Sequence, residues 1–240
     1  MSLRSSVLIV ASPRPRVGKT LLARLLVDFQ IYNDREVAAF DLNARDSALA
    51  QFLPQHVTLA DIVDIKGQMA LFDRLVADDG VAKVVDVGHE AFESFVTVAG
   101  KIGFAEEARR RGLAPAVLFM TTPDLTSVEA YKALAVRMPQ VTPVPVHNAI
   151  LGNAQYRDKY PLGGPASALV QVPVLAPALR KFADQPPFSF AQAPTTAALD
   201  IPLEKHLELA HWVRRVFLEL REMELRLLLA DLQSSLQIQP

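Results

Sequence analysis

Residues 6–20 read SVLIVASPRPRVGKT, and the leucine-rich stretch LLARLLVDF follows. An apolar strand candidate therefore passes through a short loop into a helix candidate that opens with Gly18-Lys19-Thr20. Backbone N–H groups and the positive end of the helix dipole favour an anion at such a helix start. The strand, loop and helix together predict a phosphate site, whereas the tripeptide alone could be a chance sequence in a turn.

Short apolar runs alternate with helical patterns along the chain, which is typical of βαβ units. The predicted strands are Ser6–Ala11, Glu36–Asp41, Ala82–Val87, Ala116–Thr122, Thr142–Ile150 and Val170–Val174. The predicted helices are Gly18–Phe29, Gly67–Asp78, His89–Arg111, Leu125–Arg137, Pro177–Ala183 and Pro202–Leu236, with irregular segments at Gly152–Pro165 and Asp184–Ala198. The strands are evenly apolar, so we expect an α/β fold with a mostly parallel central sheet and helices on both faces.

The composition sets limits on the kind of protein this is. The length of 240 residues and the continuous pattern predict one domain over residues 1–240. A net charge of −1 provides no global field for nucleic acid or anionic lipid. The absence of cysteine excludes disulfides and thiolate metal sites, and no apolar run is long enough to span a membrane. We expect a cytoplasmic protein.

The loop Arg14-Pro15-Arg16-Val17-Gly18-Lys19-Thr20 resembles that of the ParA/MinD family of P-loop ATPases, which reads K-G-G-x-G-K-[ST]. The resemblance implies a P-loop NTPase fold of the SIMIBI type that binds ATP and Mg²⁺. Lys19 would reach the phosphates, Thr20 would help to hold Mg²⁺, and Arg14 would replace the family's signature lysine, which contacts the partner's phosphates in a dimer. Pro15 and Arg16 depart from the glycine pair: proline lacks an N–H, and arginine is strained at positive φ.

Further positions match the family in order. Asp41-Leu42-Asn43 resembles its D-x-D segment, in which Asp41 would help to organise Mg²⁺ and the attacking water. Asn43 stands at the second acidic position, so hydrolysis is the activity that this change weakens. Asp86 ends an apolar strand, as the Mg²⁺-binding Walker B acid does. Asn148 and Pro173 fall where the family contacts the adenine. Each could be turn chemistry taken singly; their order extends the resemblance over residues 4–183.

The last predicted helix carries two apolar stripes. The first comprises Leu209, Val213, Val216, Leu220, Met223, Leu227 and Ala230, and the second Leu218, Leu225, Leu229 and Leu232. One stripe could pack on the sheet while the other meets a partner or a second copy. Acidic residues balance the arginines, which disfavours a membrane-lying helix.

Outside the nucleotide site, the run Arg109-Arg110-Arg111 before Gly112 could touch DNA, but it also suits the last turn of a helix, which we favour. The resemblance implies an ATP-dependent dimerisation switch that positions a plasmid, chromosome or protein assembly. One alternative is a degenerate scaffold of the same fold that does not hydrolyse ATP. Another is a ligase of the dethiobiotin or cobyrinate synthetase type, which is disfavoured because those enzymes have a lysine after the second strand.

Overall fold

The computed structural model describes residues 6–43, 45–152, 157–161, 168–193 and 201–237. Within these ranges seven strands form one sheet, and every pair of neighbours is parallel. The strands are β1 (Ser6–Ala11), β2 (Val37–Asp41), β3 (Val57–Leu59), β4 (Ala82–Asp86), β5 (Ala114–Met120), β6 (Thr142–Asn148) and β7 (Val170–Val172). Their spatial order is β3-β2-β4-β1-β5-β6-β7, so β1 lies at the centre.

Helices cover both faces of the sheet, as the evenly apolar strands predicted. The described residues contain α1 (Lys19–Tyr32), α2 (Ala48–Phe52), α3 (Ile65–Leu75), α4 (Phe92–Lys101), α5 (Phe104–Arg110), α6 (Leu125–Arg137), α7 (Pro177–Ala183) and α8 (Leu203–Gln237). One apolar layer includes side chains of α1, α2, α7 and α8, and the other includes side chains of α3 to α6. The predicted fold class is confirmed.

Two local predictions need correction. The helix predicted over His89–Arg111 is divided into α4 and α5 at Gly103, whose φ of 64° lies in the left-handed region that glycine adopts without strain. Strand β3 and helix α2 have only three and five residues and were not predicted, because so short a segment shows no clear periodicity. The irregular segments predicted at Gly152–Pro165 and Asp184–Ala198 lie partly outside the described residues.

The long last helix packs through its first predicted stripe. Leu209, Val213, Val216, Leu220 and Met223 are all buried, while Leu227 is half-buried. Trp212 Nε1 donates a hydrogen bond to the carbonyl of Pro173, and Arg35 pairs with Glu224 at 2.8 Å. These contacts fix α8 against the sheet at separate points along its length. In the described part of the chain, no helix is long and apolar enough to cross a membrane.

Candidate functional site

The predicted phosphate loop connects the carboxyl end of β1 with the start of α1. Gly18 caps the helix at φ 96°, and its carbonyl accepts the first helical hydrogen bond from the N–H of Leu22. Arg16 is exposed and has φ 57°, so its position does require the left-handed conformation that glycine would adopt freely. Pro15 is exposed and contributes no N–H. The loop therefore makes the tight turn of a phosphate loop with fewer donors and one strained residue.

Lys19 lies folded back over this loop. Its Nζ donates to the carbonyl of Arg14 at 2.6 Å, and the residue is 7% exposed. Burial lowers the pKa of Lys19 to about 8, while the charge of nearby Asp86 opposes the shift. A lysine held in this way is poorly solvated, so an anion at the loop would stabilise its charge.

Asp86 forms the acidic centre of the site. Strand β4 lies beside β1 with Val10 opposite Asp86, which brings this carboxylate to the start of α1. Thr20 Oγ1 donates to Asp86 Oδ2 at 2.7 Å, whereas the buried Oδ1 has no hydrogen-bond partner among the described residues. Burial raises the pKa of Asp86 to about 7; the charge of Asp41 adds to the rise, and Thr20, Lys19 and Asn43 oppose it.

Asp41 is engaged by the loop that follows β2 and by the start of α2. Its Oδ1 accepts from the backbone N–H and the side-chain amide of Asn43, at 2.9 and 2.7 Å, and its Oδ2 accepts from the N–H of Leu49 at 3.1 Å. Burial raises its pKa, and these hydrogen bonds oppose the rise. Asn43 lies over Gly88, where an added Cβ would come within 2.6 Å of the Asn43 Oδ1. The contact between Asn43 and Gly88 therefore holds the loop after β2 close to the loop after β4.

Asn148 and Pro173 have partners inside the protein. The Asn148 Nδ2 donates to the carbonyl of Val17 at 3.1 Å, and an added Cβ on Gly18 would lie 2.5 Å from that nitrogen. The carbonyl of Pro173 accepts from the Trp212 indole at 3.1 Å. In this arrangement the Asn148 side chain contacts the phosphate loop and helps to stabilise it.

Arg14 forms an ion pair that the sequence did not reveal. Its Nε donates to Asp124 Oδ1 at 2.8 Å, and a second guanidinium nitrogen contacts the same oxygen. Asp124 also caps α6 by accepting from the N–H of Ser127 at 3.1 Å. The Arg14 guanidinium, with Thr122 and Ser127, lowers the pKa of Asp124 to about 2. An aspartate before a helical pattern predicts a cap, but nothing in the sequence pairs it with Arg14.

The residues present fit a triphosphate with Mg²⁺. Lys19, Thr20 and the N–H groups at the start of α1 are the donor set that phosphate requires. The Oδ1 of Asp86, which no described residue contacts through a hydrogen bond, is a suitable oxygen for a hydrated Mg²⁺. The described residues contain no cluster of three or more His, Asp or Glu that could hold a metal by itself. Mg²⁺ is usually bound by one or two carboxylates together with phosphates and water, so this donor set is sufficient.

The three arginines at 109–111 each have an acceptor within the chain. Arg109 donates to the carbonyl of Gln140 at 2.6 Å, and Arg110 and Arg111 both pair with Glu107. Helix α5 ends at Arg110, and Gly112 follows at φ 82°. The geometry matches the helix-end interpretation of this run, and DNA contact stays a prediction.

Comparison with known proteins gives a weak structural likeness. No protein-family model matches the chain, and no curated protein matches it by sequence. A MinD cell division protein from Aquifex aeolicus is similar with 13% identity and a TM-score of 0.49, over 88% of this chain and 96% of that one. A nucleotide-binding protein from Archaeoglobus fulgidus, in complex with ADP, has 12% identity and a TM-score of 0.44, over 72% of this chain and 84% of that one. Likeness at this level does not determine function, which therefore depends on the residues of the site.

Proposed function

We propose that the chain binds ATP with Mg²⁺ at the start of α1 and acts as a nucleotide-dependent switch. The observation that carries the proposal is the buried Asp86 carboxylate, which holds Thr20 through one oxygen, while its second oxygen has no partner among the described residues. The charge of Lys19 also acts on this carboxylate. An acid with a raised pKa costs stability where it ionises, so its burial at the carboxyl end of a central strand indicates a ligand site.

The chain's own residues would exchange partners when the site fills. Lys19 would leave the carbonyl of Arg14 for phosphate oxygens, and Thr20 would turn its hydroxyl from Asp86 toward the metal. Mg²⁺ and the triphosphate supply opposite charges that neutralise one another and the side chains around them. Asp86 would then remain ionised at neutral pH, because a nearby cation lowers the pKa of a carboxyl group.

The finer parts of the proposal concern dimerisation, cargo and turnover. Arg14 would leave Asp124 and reach the nucleotide of a second copy, and the surface of that dimer would recruit a protein or other cargo. Hydrolysis would be slow, because the amide of Asn43 cannot accept a proton from water as a carboxylate does. The resemblance of the loop to the ParA/MinD family supports these steps, and Asn43 is the residue on which slow turnover depends.

Thermal unfolding with increasing ATP and Mg²⁺ tests the binding step. A ligand at 100 times its Kd stabilises the native state by about 2.7 kcal/mol, which raises the Tm by a few degrees for a chain of this size. Lys19→Ala should abolish the rise. Lys132→Ala is the matched control, because Lys132 is an exposed lysine on α6. A Lys19→Ala protein that ATP stabilises as much as the wild type would refute the site, and GTP in parallel titrations measures base preference.

A scaffold that has lost nucleotide binding is the second candidate. It is favoured by Asp41, whose two oxygens already accept hydrogen bonds from Asn43 and from Leu49 at the start of α2, and by Arg16 at positive φ. The same titration separates the two functions. A wild-type Tm that does not move at millimolar ATP and Mg²⁺ would support the scaffold.

A further inference from the structure

Helix α8 carries an apolar surface that the described residues of the chain leave exposed. Seven of its leucines are between 51% and 71% exposed. At 3.6 residues per turn they all fall within an arc of about 100° on the side of α8 opposite its buried stripe. We call this surface the outer leucine stripe; its members are Leu203, Leu207, Leu218, Leu225, Leu228, Leu229 and Leu232.

The outer leucine stripe is rigidly held, and between Leu207 and Leu218 its face of α8 carries His211 and Arg214. It extends from Leu203 to Leu232, a length of about 44 Å at 1.5 Å per residue. Single exposed leucines are ordinary, whereas several exposed leucines on one face of a helix mark an interaction surface. The inner face of α8 is fixed by the Trp212 and Glu224 contacts described above, so the stripe is already ordered before any partner binds. Binding to an ordered surface has a small entropic cost.

We propose that the outer leucine stripe binds the same stripe of a second copy, with the two α8 helices antiparallel. Along the stripe, positions recur at alternating spacings of four and three, which is the spacing of a two-helix seam. These positions are Leu207, His211, Arg214, Leu218, Arg221, Leu225, Leu228 and Leu232, and all eight are exposed. A self-complementary surface of this kind forms a closed two-fold dimer.

The charges within the seam select the antiparallel orientation. A parallel pair would place Arg214 opposite Arg214 of the second copy, and Arg221 opposite Arg221 of the second copy, so that like charges meet. In the antiparallel pair, Arg214 faces Leu225 and Arg221 faces Leu218, so their aliphatic stems can cover leucine. The Arg221 guanidinium is already directed to Asn33 of its own chain.

The residues beside the seam support the same orientation. In the antiparallel pair Arg215 lies next to Glu222 of the second copy, and the two-fold axis repeats this opposite-charge pair. Both residues are exposed. Charge complementarity of this kind fixes the register more than it adds affinity. The interface includes no residue of the phosphate loop, so this dimer forms without nucleotide and is separate from the switch proposed above.

Sedimentation equilibrium of the full chain without nucleotide tests the proposal. The wild type and Lys19→Ala should both be dimers, and the double variant Leu218→Arg, Leu225→Arg should weaken association by at least about 100-fold, because it places like charges opposite Arg221 and Arg214 of the second copy. Val136→Arg is the matched control: Val136 is 81% exposed on α6, outside the stripe, so its dimer should be unaffected. Circular dichroism checks that every variant is folded.

Two results would overturn the proposal. One is a wild type that stays monomeric at about 100 μM, a concentration at which even weak dimers associate. The other is a monomeric wild type that sediments with phosphatidylglycerol vesicles, which would make a lipid surface the occupant. If Lys19→Ala loses nucleotide binding but remains a dimer, the interface does not depend on the nucleotide site, and each proposal can fail without the other.

Cysteine cross-linking tests the orientation. The chain has no cysteine, so Leu207→Cys and Leu232→Cys each introduce a single thiol. Disulfides require Cα atoms within about 7 Å. An oxidised mixture of the two variants should give disulfide dimers that join one variant to the other, and neither variant alone should cross-link. Disulfides within each variant alone would show a parallel pair and contradict the proposed orientation.

Discussion

Replacing Asp86 by asparagine should stabilise the ligand-free protein at high pH. Burial raises the pKa of Asp86 from 3.8 to about 7, and each pKa unit corresponds to about 1.36 kcal/mol. The folded state binds the proton more tightly than the unfolded state, so stability falls as pH rises from about 4 to about 7. Above pH 7 the ionised group costs about 4 kcal/mol, compared with about 2 kcal/mol at pH 5.

Asparagine removes this cost and introduces a smaller one. Its carbonyl can still accept from Thr20, but its amide takes the place of the buried Oδ1, which has no partner among the described residues. A buried donor without an acceptor costs about 1–3 kcal/mol. Asp86→Asn should therefore be about as stable as the wild type at pH 5 and more stable by about 1–3 kcal/mol at pH 8.

Urea unfolding at pH 5, 6, 7 and 8 measures the effect. The fluorescence of the single tryptophan, Trp212, reports unfolding, because Trp212 lies on α8 and its indole contacts Pro173, just after β7. Asp28, whose pKa burial raises to about 6, titrates in both proteins and cancels in the difference. A difference in stability that does not change with pH would refute the ionisation cost. Asp86→Asn should also no longer be stabilised by ATP and Mg²⁺. A residue that lowers the stability of the free protein can still be required for binding.

Three further substitutions test the backbone strain and contacts of the phosphate loop and the packing of α1. Arg16→Gly should raise the free energy of unfolding by about 0.5–1 kcal/mol, measured by urea unfolding, because it relieves a non-glycine residue at positive φ. Gly18→Ala should lower it by about 2 kcal/mol and weaken ATP binding in calorimetry, because its Cβ would collide with Asn148. Arg24→Lys should lower the Tm, by an amount equivalent to about 2–3 kcal/mol, because lysine cannot both reach the Ala183 carbonyl and stack on Phe52 as the buried guanidinium does. An unchanged stability in any of the three would contradict the strain at Arg16, or the contact of Gly18 or Arg24, on which that prediction depends.

The positions of Lys19, Thr20 and Asp86 could be anticipated from local pattern. The carboxyl ends of neighbouring parallel strands meet at one edge of a sheet, so a residue that ends β4 must lie near the helix that follows β1. The left-handed conformation of Arg16 could also be anticipated, since it stands where the resembled loop has glycine. Helix breaks and very short elements could not, because tertiary contacts override weak local preferences.

The partners of the polar side chains could not be anticipated. Arg14 is 110 residues from Asp124, and Asn148 is 131 residues from Val17. A side chain's type shows what it can donate or accept, but its actual partner depends on how distant elements come together. For this reason the sequence could not show that the Asn148 amide contacts the phosphate loop or that both oxygens of Asp41 are engaged.

The sequence by itself determined the alternation of strands and helices, the phosphate loop and the two apolar stripes of the last helix, because each depends on residue spacing along the chain. Only the tertiary structure decided which stripe faces the sheet and which faces outward, and which oxygen of Asp86 has no hydrogen-bond partner within the described part of the chain. Burial and hydrogen bonding are properties of neighbours in space, and these neighbours are brought together only when the whole sheet has formed.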